Sequence, residues 1–253
     1  EPLLPLSARS PIRGIKFASD PVLAEKFRYV AGRCDHIVTN SRNTATLLEE
    51  NGIASNNDIV VIHNGIRLPV SAAQPDEKTI LWVGSLKGVK DPMTFLEACR
   101  DVIRGDEKIK VVMAGAGALR PDIERYLEEN GLIKNFTLPG EVPYEKIPYA
   151  KASVFVNSSI RESSSNSLLE ALSFGIPVVA TDNPGNRDVL SGLEFHNIVP
   201  VSDSALMARA IGELLDIDDS ARSRIAVKAR KDIEHQYSVS KMVDGYIRMF
   251  SGG

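Results

Sequence analysis

The sequence predicts an α/β fold: a doubly wound parallel sheet with a helical tail behind it and an incomplete α/β portion in front. Three observations predict it. Short Val/Ile-rich runs alternate with amphipathic stretches between residues 35 and 181, as parallel strands covered by helices on both faces would. The alternation breaks at residues 66–78 (IRLPVSAAQPDEK), a polar segment with two prolines, and then begins afresh. The last 50 residues carry no strand-like run and read as all helical.

In chain order, residues 35–41 (DHIVTNS) read as a strand, 44–51 as a helix and 58–63 (DIVVIH) as a second strand, closed by the turn Asn64-Gly65. Residues 1–65 are thus the end of an α/β domain, since a full one needs several strand–helix units of ~30 residues each. Residues 66–78 read as a linker. The second domain, residues 79–235, opens with strand 79–84 (TILWVG) and helix 92–104. Strand 109–114 (IKVVMA) leads to helix 121–130, with Pro121 in the first turn, where its missing N–H would be unsatisfied anyway. Strand 135–138, a short helix near 144–150, strand 153–157 (SVFVN), helix 165–174 and strand 177–181 (PVVAT) follow. Residues 236–253 carry a last helix over 239–250 and a flexible Ser-Gly-Gly end. Such an order is Rossmann-like.

Composition narrows the function classes. With 43% apolar and 25% charged residues the chain reads as a soluble globular protein. A net charge of -3 without a basic block argues against a nucleic-acid partner. No apolar run approaches the ~20 residues that span a bilayer, and the start EPLLPLSARSP does not suit a signal peptide. Cys34 and Cys99 sit in apolar stretches and read as small buried thiols in a reduced, cytoplasmic setting. His36, His63, His196 and His235 show no ligand spacing, so no metal site is expected. His63, beside the domain turn, reads as structural.

In an open parallel sheet the ligand lies beyond the carboxyl ends of the strands. That singles out loops 84–91, 114–120, 139–143 and 158–167. The most informative stretch is 158–182, SSIRESSSNSLLEALSFGIPVVATD: strand end, serine-rich loop, helix start, Gly stop and strand. A helix N-terminus offers free N–H groups and a positive dipole end, which suit a diphosphate. Carboxylates at Glu162 and Glu170 suit sugar hydroxyls better than phosphate. Together they fit a nucleotide sugar. A second reading of Glu170 stays open: Ser167-Leu168-Leu169-Glu170 matches a capping box.

Glu162 and Glu170 resemble the E-x7-E signature of retaining glycosyltransferases with the GT-B fold, in the large family 4 that includes sucrose synthase and bacterial mannosyltransferases. Glu170-Ala171-Leu172 and Gly175-Ile176-Pro177-Val178-Val179-Ala180 are similar to that family's EA…G-x-PVVA run. Asn64-Gly65, Val83-Gly84, Lys90-Asp91-Pro92, Gly115-Ala116-Gly117 and Gly140 fall in the family's order, so the resemblance covers residues 35–250. It implies a UDP-, GDP- or ADP-sugar donor, an unidentified acceptor, no metal and no cofactor. Glu162 would contact the donor sugar and Glu170 the ribose. Gly84, Ser85 and Gly117 fall among the donor-binding positions. Lys90 would neutralise the diphosphate, and backbone around Ser163, Asn166, Ser167 and Leu168 would hold phosphate and sugar. Main chain near Val142 would read the base. Peripheral membrane association would come through the rest of the first domain.

One departure matters. Ser85 stands where the family usually has Arg, so a bidentate phosphate contact is missing. Either Lys87, Arg161 or another group compensates or donor affinity is weaker, and Lys87 reads better as a surface lysine. Other signals are weaker. Gly115-Ala116-Gly117 is followed by Arg120 where a dinucleotide fingerprint wants Gly or Ala. Asp216-Ile217-Asp218 is formally D-x-D and reads as an acidic cap between two helices. Two other classes remain: a non-catalytic nucleotide-sugar-binding subunit that needs a partner chain, and a GT-B epimerase or phosphorylase.

Overall fold

Parallel strands need crossover connections, and helices or short turns supply them along this chain. A computed structural model describes residues 21–55, 58–75, 77–191, 193 and 196–251. The expectations for the N-terminal leader and the final two glycines lie outside the described residues. A small front unit holds α1 (Pro21–Ala31), β1 (Ile37–Thr39), α2 (Arg42–Glu50) and β2 (Ile59–Val61). β1 and β2 pair in parallel, Ile37 opposite Ile59, and Ala24, Leu48 and Ile53 bury against them.

The main unit opens with β3 (Thr79–Val83), α3 (Pro92–Gly105), β4 (Lys110–Ala114), α4 (Arg120–Glu129) and β5 (Phe136–Gly140). Then come β6 (Val154–Asn157), α5 (Asn166–Ser173), β7 (Val178–Thr181), α6 (Pro184–Leu190) and β8 (His196–Val199). Helices α7 (Ser204–Leu215), α8 (Asp219–Tyr237) and α9 (Val239–Phe250) end the described chain. The six strands lie parallel in the order β5-β4-β3-β6-β7-β8. The predicted doubly wound sheet is therefore present. Its order reverses between β3 and β6, so the loops after those two strands flank a crevice.

The core follows from the two-residue period of a strand. Ile80 and Trp82 point into a cluster with Phe95, Met113, Ile123 and Met207. Leu81 points the other way, into a cluster with Phe155, Leu168, Leu169, Val178 and Ile233. Each such side chain, fully buried, stabilises the fold by about 1.5–3 kcal/mol. No helix among the described residues is long and apolar enough to cross a membrane.

Four expectations need correction. The segment near 144–150 is not one helix but two 3-10 turns, Tyr144–Lys146 and Tyr149–Lys151. Pro143 and Pro148 stand directly before them and prevent a continuous helix. α6 and β8 were not expected at all. α6 is short and opens Pro-Gly, and β8 starts with two polar residues on a sheet edge. Cys34 is exposed, just past the end of α1, whereas Cys99 is buried within α3 as expected.

Residues 66–75 run along the main unit rather than hanging free. Ala73 N–H donates to Phe174 O at 2.7 Å and Gln74 N–H to Ala150 O at 2.8 Å. Ile66 forms a parallel bridge with Ser238, its N–H donating to Tyr237 O at 2.8 Å. Gly65 is required there: a Cβ would sit 2.7 Å from Val239 Cα. α9 then lies on the end of β2, with Gly245 over Ile62 and Met242 against Gly65.

Candidate functional site

The crevice is built from backbone first. After β3 the chain turns at Gly84, whose N–H donates to Ala114 O at 3.0 Å, and Leu86 N–H donates to Ala116 O at 2.9 Å. Leu86 is buried and pins this loop. The loop after β4 presses directly on it. Gly115 has φ 144°, and a Cβ on it would lie 1.8 Å from Gly84 O. A Cβ on Gly117 would lie 2.3 Å from Leu86 O. Gly117 thus packs against the Leu86 backbone. Gly115 N–H donates to Gly140 O at 2.8 Å, which ties in the end of β5. These three strand ends enclose a cavity of about 250 Å³ lined by Gly84, Ser85, Gly115, Ala116, Glu141 and Val142. A roomier hollow of about 550 Å³, lined by Lys78, Ser153, Pro177 and Arg222, lies at the opposite, amino ends of the strands. The smaller one sits where an open α/β sheet binds ligands.

The loops flanking the order reversal are joined to each other. Ile160 N–H donates to Val89 O at 2.9 Å, and Ser158 Oγ donates to Lys90 O at 2.7 Å while accepting from Trp82 Nε1 at 2.9 Å. Asp91 holds φ 45° and caps α3 through Thr94 N–H, which aims the preceding Lys90 back over the crevice. Lys90 Nζ donates to Glu162 Oε2, and Ser159 Oγ donates to the same oxygen at 3.2 Å. The side chains of Lys90 and Glu162 are only 24% and 14% exposed, so the pair is more than a surface contact.

The Glu162 loop rests on buried polar side chains that sequence reasoning missed. Asn157 Nδ2 donates to Ser165 Oγ at 3.0 Å, and its Oδ1 accepts from Ser159 N–H at 3.0 Å. Thr181 Oγ1 and Asn183 Nδ2 both donate to Ser159 O, at 2.5 and 2.9 Å. Asn186 Nδ2 donates to Thr181 O at 2.9 Å. Gly185 allows α6 to close underneath, since a Cβ there would lie 2.3 Å from Glu162 O. The signal available in the sequence was a polar residue ending each all-apolar strand, Asn157 after VFV and Thr181 after VVA.

α5 begins at the far side of this loop. Its N-cap is Ser165, accepting from Leu168 N–H, so Glu170 stands two residues beyond the place a capping box requires. The capping-box reading of Glu170 is therefore overturned. Glu170 Oε2 instead accepts from Tyr149 O–H at 2.5 Å. Burial pushes the Glu170 carboxyl above the usual carboxylate range, and the Tyr149 hydrogen bond partly opposes it. Burial, with Glu170 beside it, drives the Tyr149 phenol far up. Ser163 and Asn166 are exposed at the opening and Ser167 is half-buried. Leu168 is fully buried, its N–H taken by the cap. Asn166 Oδ1 accepts from Asn64 Nδ2 at 2.8 Å, a contact from the front unit.

His63, Asp216 and Asp218 are held by structural contacts. His63 Nδ1 lies 3.1 Å from Asn40 O and its ring packs on Tyr237. Asp218 caps α8 through Ala221 N–H, and Asp216 pairs with Lys78. Lys87 is exposed.

Known proteins share this fold. The family profile described as Glycosyl transferases group 1 matches residues 68–232. The chain is 29% identical over 171 residues to the alpha-D-kanosaminyltransferase of Streptomyces kanamyceticus, covering 67% of this chain and 44% of that protein. It is 28% identical over 198 residues to the phosphatidyl-myo-inositol mannosyltransferase of Mycobacterium leprae, covering 74% and 52%. The chain spans about half the length of the curated relatives it matches. Among solved structures, Anabaena Alr3699/HepE with UDP superposes with a TM-score of 0.80 at 15% identity, over 91% of this chain and 68% of that one. A Staphylococcus aureus TarM complex with fondaparinux, alpha-GlcNAc-glycerol and UDP gives 0.78 at 20% identity, over 89% and 46%. These likenesses show the GT-B type of fold. The profile match runs from the linker, through every strand of the six-stranded sheet and both crevice loops, into α8, and the chain therefore belongs to the group 1 glycosyltransferase family.

Proposed function

We propose that the chain is the donor-binding part of a retaining, metal-independent glycosyltransferase of the family 4 type, using a UDP-, GDP- or ADP-sugar. The observation that carries this reading is the Lys90–Glu162 pair across the order reversal of the sheet, beside the start of α5. In this reading Lys90 exchanges Glu162 for the donor diphosphate. Glu162 is then free to accept from the sugar hydroxyls. Glu170 takes the ribose hydroxyls, and main chain at Val142 borders the base. As the bond from sugar to phosphate oxygen breaks, charge grows on the departing diphosphate, and a fixed ammonium there stabilises the transition state more than the ground state. Ser85 leaves Lys90 as the main cation of the first loop.

Calorimetry with UDP, GDP and ADP tests the reading. One of them binds, and Glu170→Ala weakens it by about 1.5–3 kcal/mol, the worth of a hydrogen bond to a charged group. Lys90→Ala weakens the diphosphate far more than the bare nucleoside. Folded variants that bind as the parent does, or equal losses for nucleoside and diphosphate in Lys90→Ala, would sink the assignment.

A further inference from the structure

We propose that Tyr149 is a positioning residue for the donor: its hydroxyl fixes the Glu170 carboxylate so that one oxygen faces the ribose. The inference rests on the ribose role of Glu170 given above and adds to it a side chain from a different element.

Tyr149 is completely buried, yet it carries a polar atom that has to be satisfied. Its ring is held on several sides. Phe174 stacks on it at 5.4 Å between centroids, Tyr144 lies at 5.9 Å and Phe155 at 6.4 Å. The 3-10 turn that carries it follows Pro148, which restricts the backbone as well. A ring so confined has one direction for its hydroxyl, and that direction ends on Glu170 Oε2 at 2.5 Å. A glutamate on a helix has three rotatable bonds, and unheld it samples several rotamers. Tyr149 removes that freedom before the ligand arrives. With Oε2 occupied, Oε1 is left to accept from a ligand. The tyrosine reaches α5 from the β5–β6 connection, 21 residues earlier, so the segment bordering the base also sets the ribose acceptor.

Removing only the hydroxyl isolates this effect, because Tyr149→Phe keeps the stacked ring. The measurement is calorimetric affinity for the nucleoside diphosphate that binds best and for its 2′,3′-dideoxy analogue, in the parent, Tyr149→Phe, Glu170→Ala and the double variant. Tyr149→Phe is expected to weaken the ribose form about tenfold and to leave the dideoxy form unchanged. In the Glu170→Ala background the same change is expected to do nothing. Equal losses on both ligands would make Tyr149 merely structural and overturn the proposal. So would an unchanged ribose affinity in Tyr149→Phe while Glu170→Ala still discriminates the two ligands. If Glu170→Ala itself fails to discriminate them, it is the ribose reading that falls.

Discussion

Glu162 and Lys90 satisfy each other in this structure, so in the proposed function donor binding begins by parting them. A diphosphate competes with a carboxylate for one ammonium. Glu162→Gln removes the competitor and leaves Lys90 in place. Affinity for a nucleoside diphosphate should then rise by about fivefold, on the order of 1 kcal/mol for a partly screened pair, while sugar transfer, assayed with the remaining half supplied, falls because the charged acceptor for the sugar hydroxyls becomes a neutral amide. Titration calorimetry at low salt reads the first effect, and unchanged or weaker binding would contradict it. Glu170 presents the opposite situation. Its folded-state carboxyl titrates above the unfolded value because it is buried. The ionised form therefore costs stability, a cost relieved as pH falls through the raised folded value. Glu170→Gln should melt higher than the parent near pH 7, and the difference should shrink on acidification. A lower melting temperature for Glu170→Gln near pH 7 would show that the ionised carboxylate stabilises the fold instead.

At the scale of elements, the close contact between the β3 and β4 loops depends on glycines. Gly115→Ala drives a Cβ into the Gly84 carbonyl and keeps an unfavourable φ. It should cost about 1–3 kcal/mol and open the cavity between the β3 and β4 loops. Gly88→Ala, whose Cβ would meet nothing within 4 Å, serves as the control. Thermal melts of both variants decide; equal melting temperatures would mean the loops yield without cost. The strands were legible because buried parallel strands spell themselves in Val and Ile, as VFV and VVA do. α6 was not, because a seven-residue helix starting Pro-Gly carries too little periodicity. β8 was not, because His196 and Asn197 dilute its pattern. Of the candidate site, Lys90, Glu162 and Glu170 could be picked out by their resemblance to a family signature. The side chains that brace the site could not: Tyr149 reaches Glu170 across 21 residues and Asn183 reaches Ser159 O across 24, and no local pattern encodes such contacts. The capping box misled for a simpler reason, since Ser165 and Ser167 are both good caps and only folding chose between them.

For the whole molecule, the described residues form a six-stranded sheet, one wall of the cleft in the proposed function, and a separate two-stranded sheet in the front unit. Relatives are about twice as long as the region matched. Positioning an acceptor can account for ~7–11 kcal/mol of a barrier, and an open cleft also admits water that weakens fixed charges around a leaving group. The 253-residue chain alone should thus bind donor without transferring sugar at a useful rate. A product assay on the chain, repeated with the remaining half supplied in cis or as a separate polypeptide, checks this. Full turnover without supplement would place the acceptor site inside these residues.

The front unit is held by more than the peptide bonds that lead out of it. α9 arrives from the other end of the chain, seats Gly245 on Ile62 and closes Met242 over Gly65. Asp188 on α6 accepts from the first N–H of α2 at 3.1 Å, and Asn166 accepts from Asn64. Arg67 and Val70, just past the bridge to Ser238, stand exposed. A nick between them severs covalent continuity at an exposed stretch tied down by Arg230, which donates to Pro69 O at 3.1 Å, while α9, Asp188 and Asn166, the main-unit halves of those grips, stay together on the longer piece. The protein is in this sense already divided for fragment complementation, with α9 as the clasp that would take a separated front piece back into register.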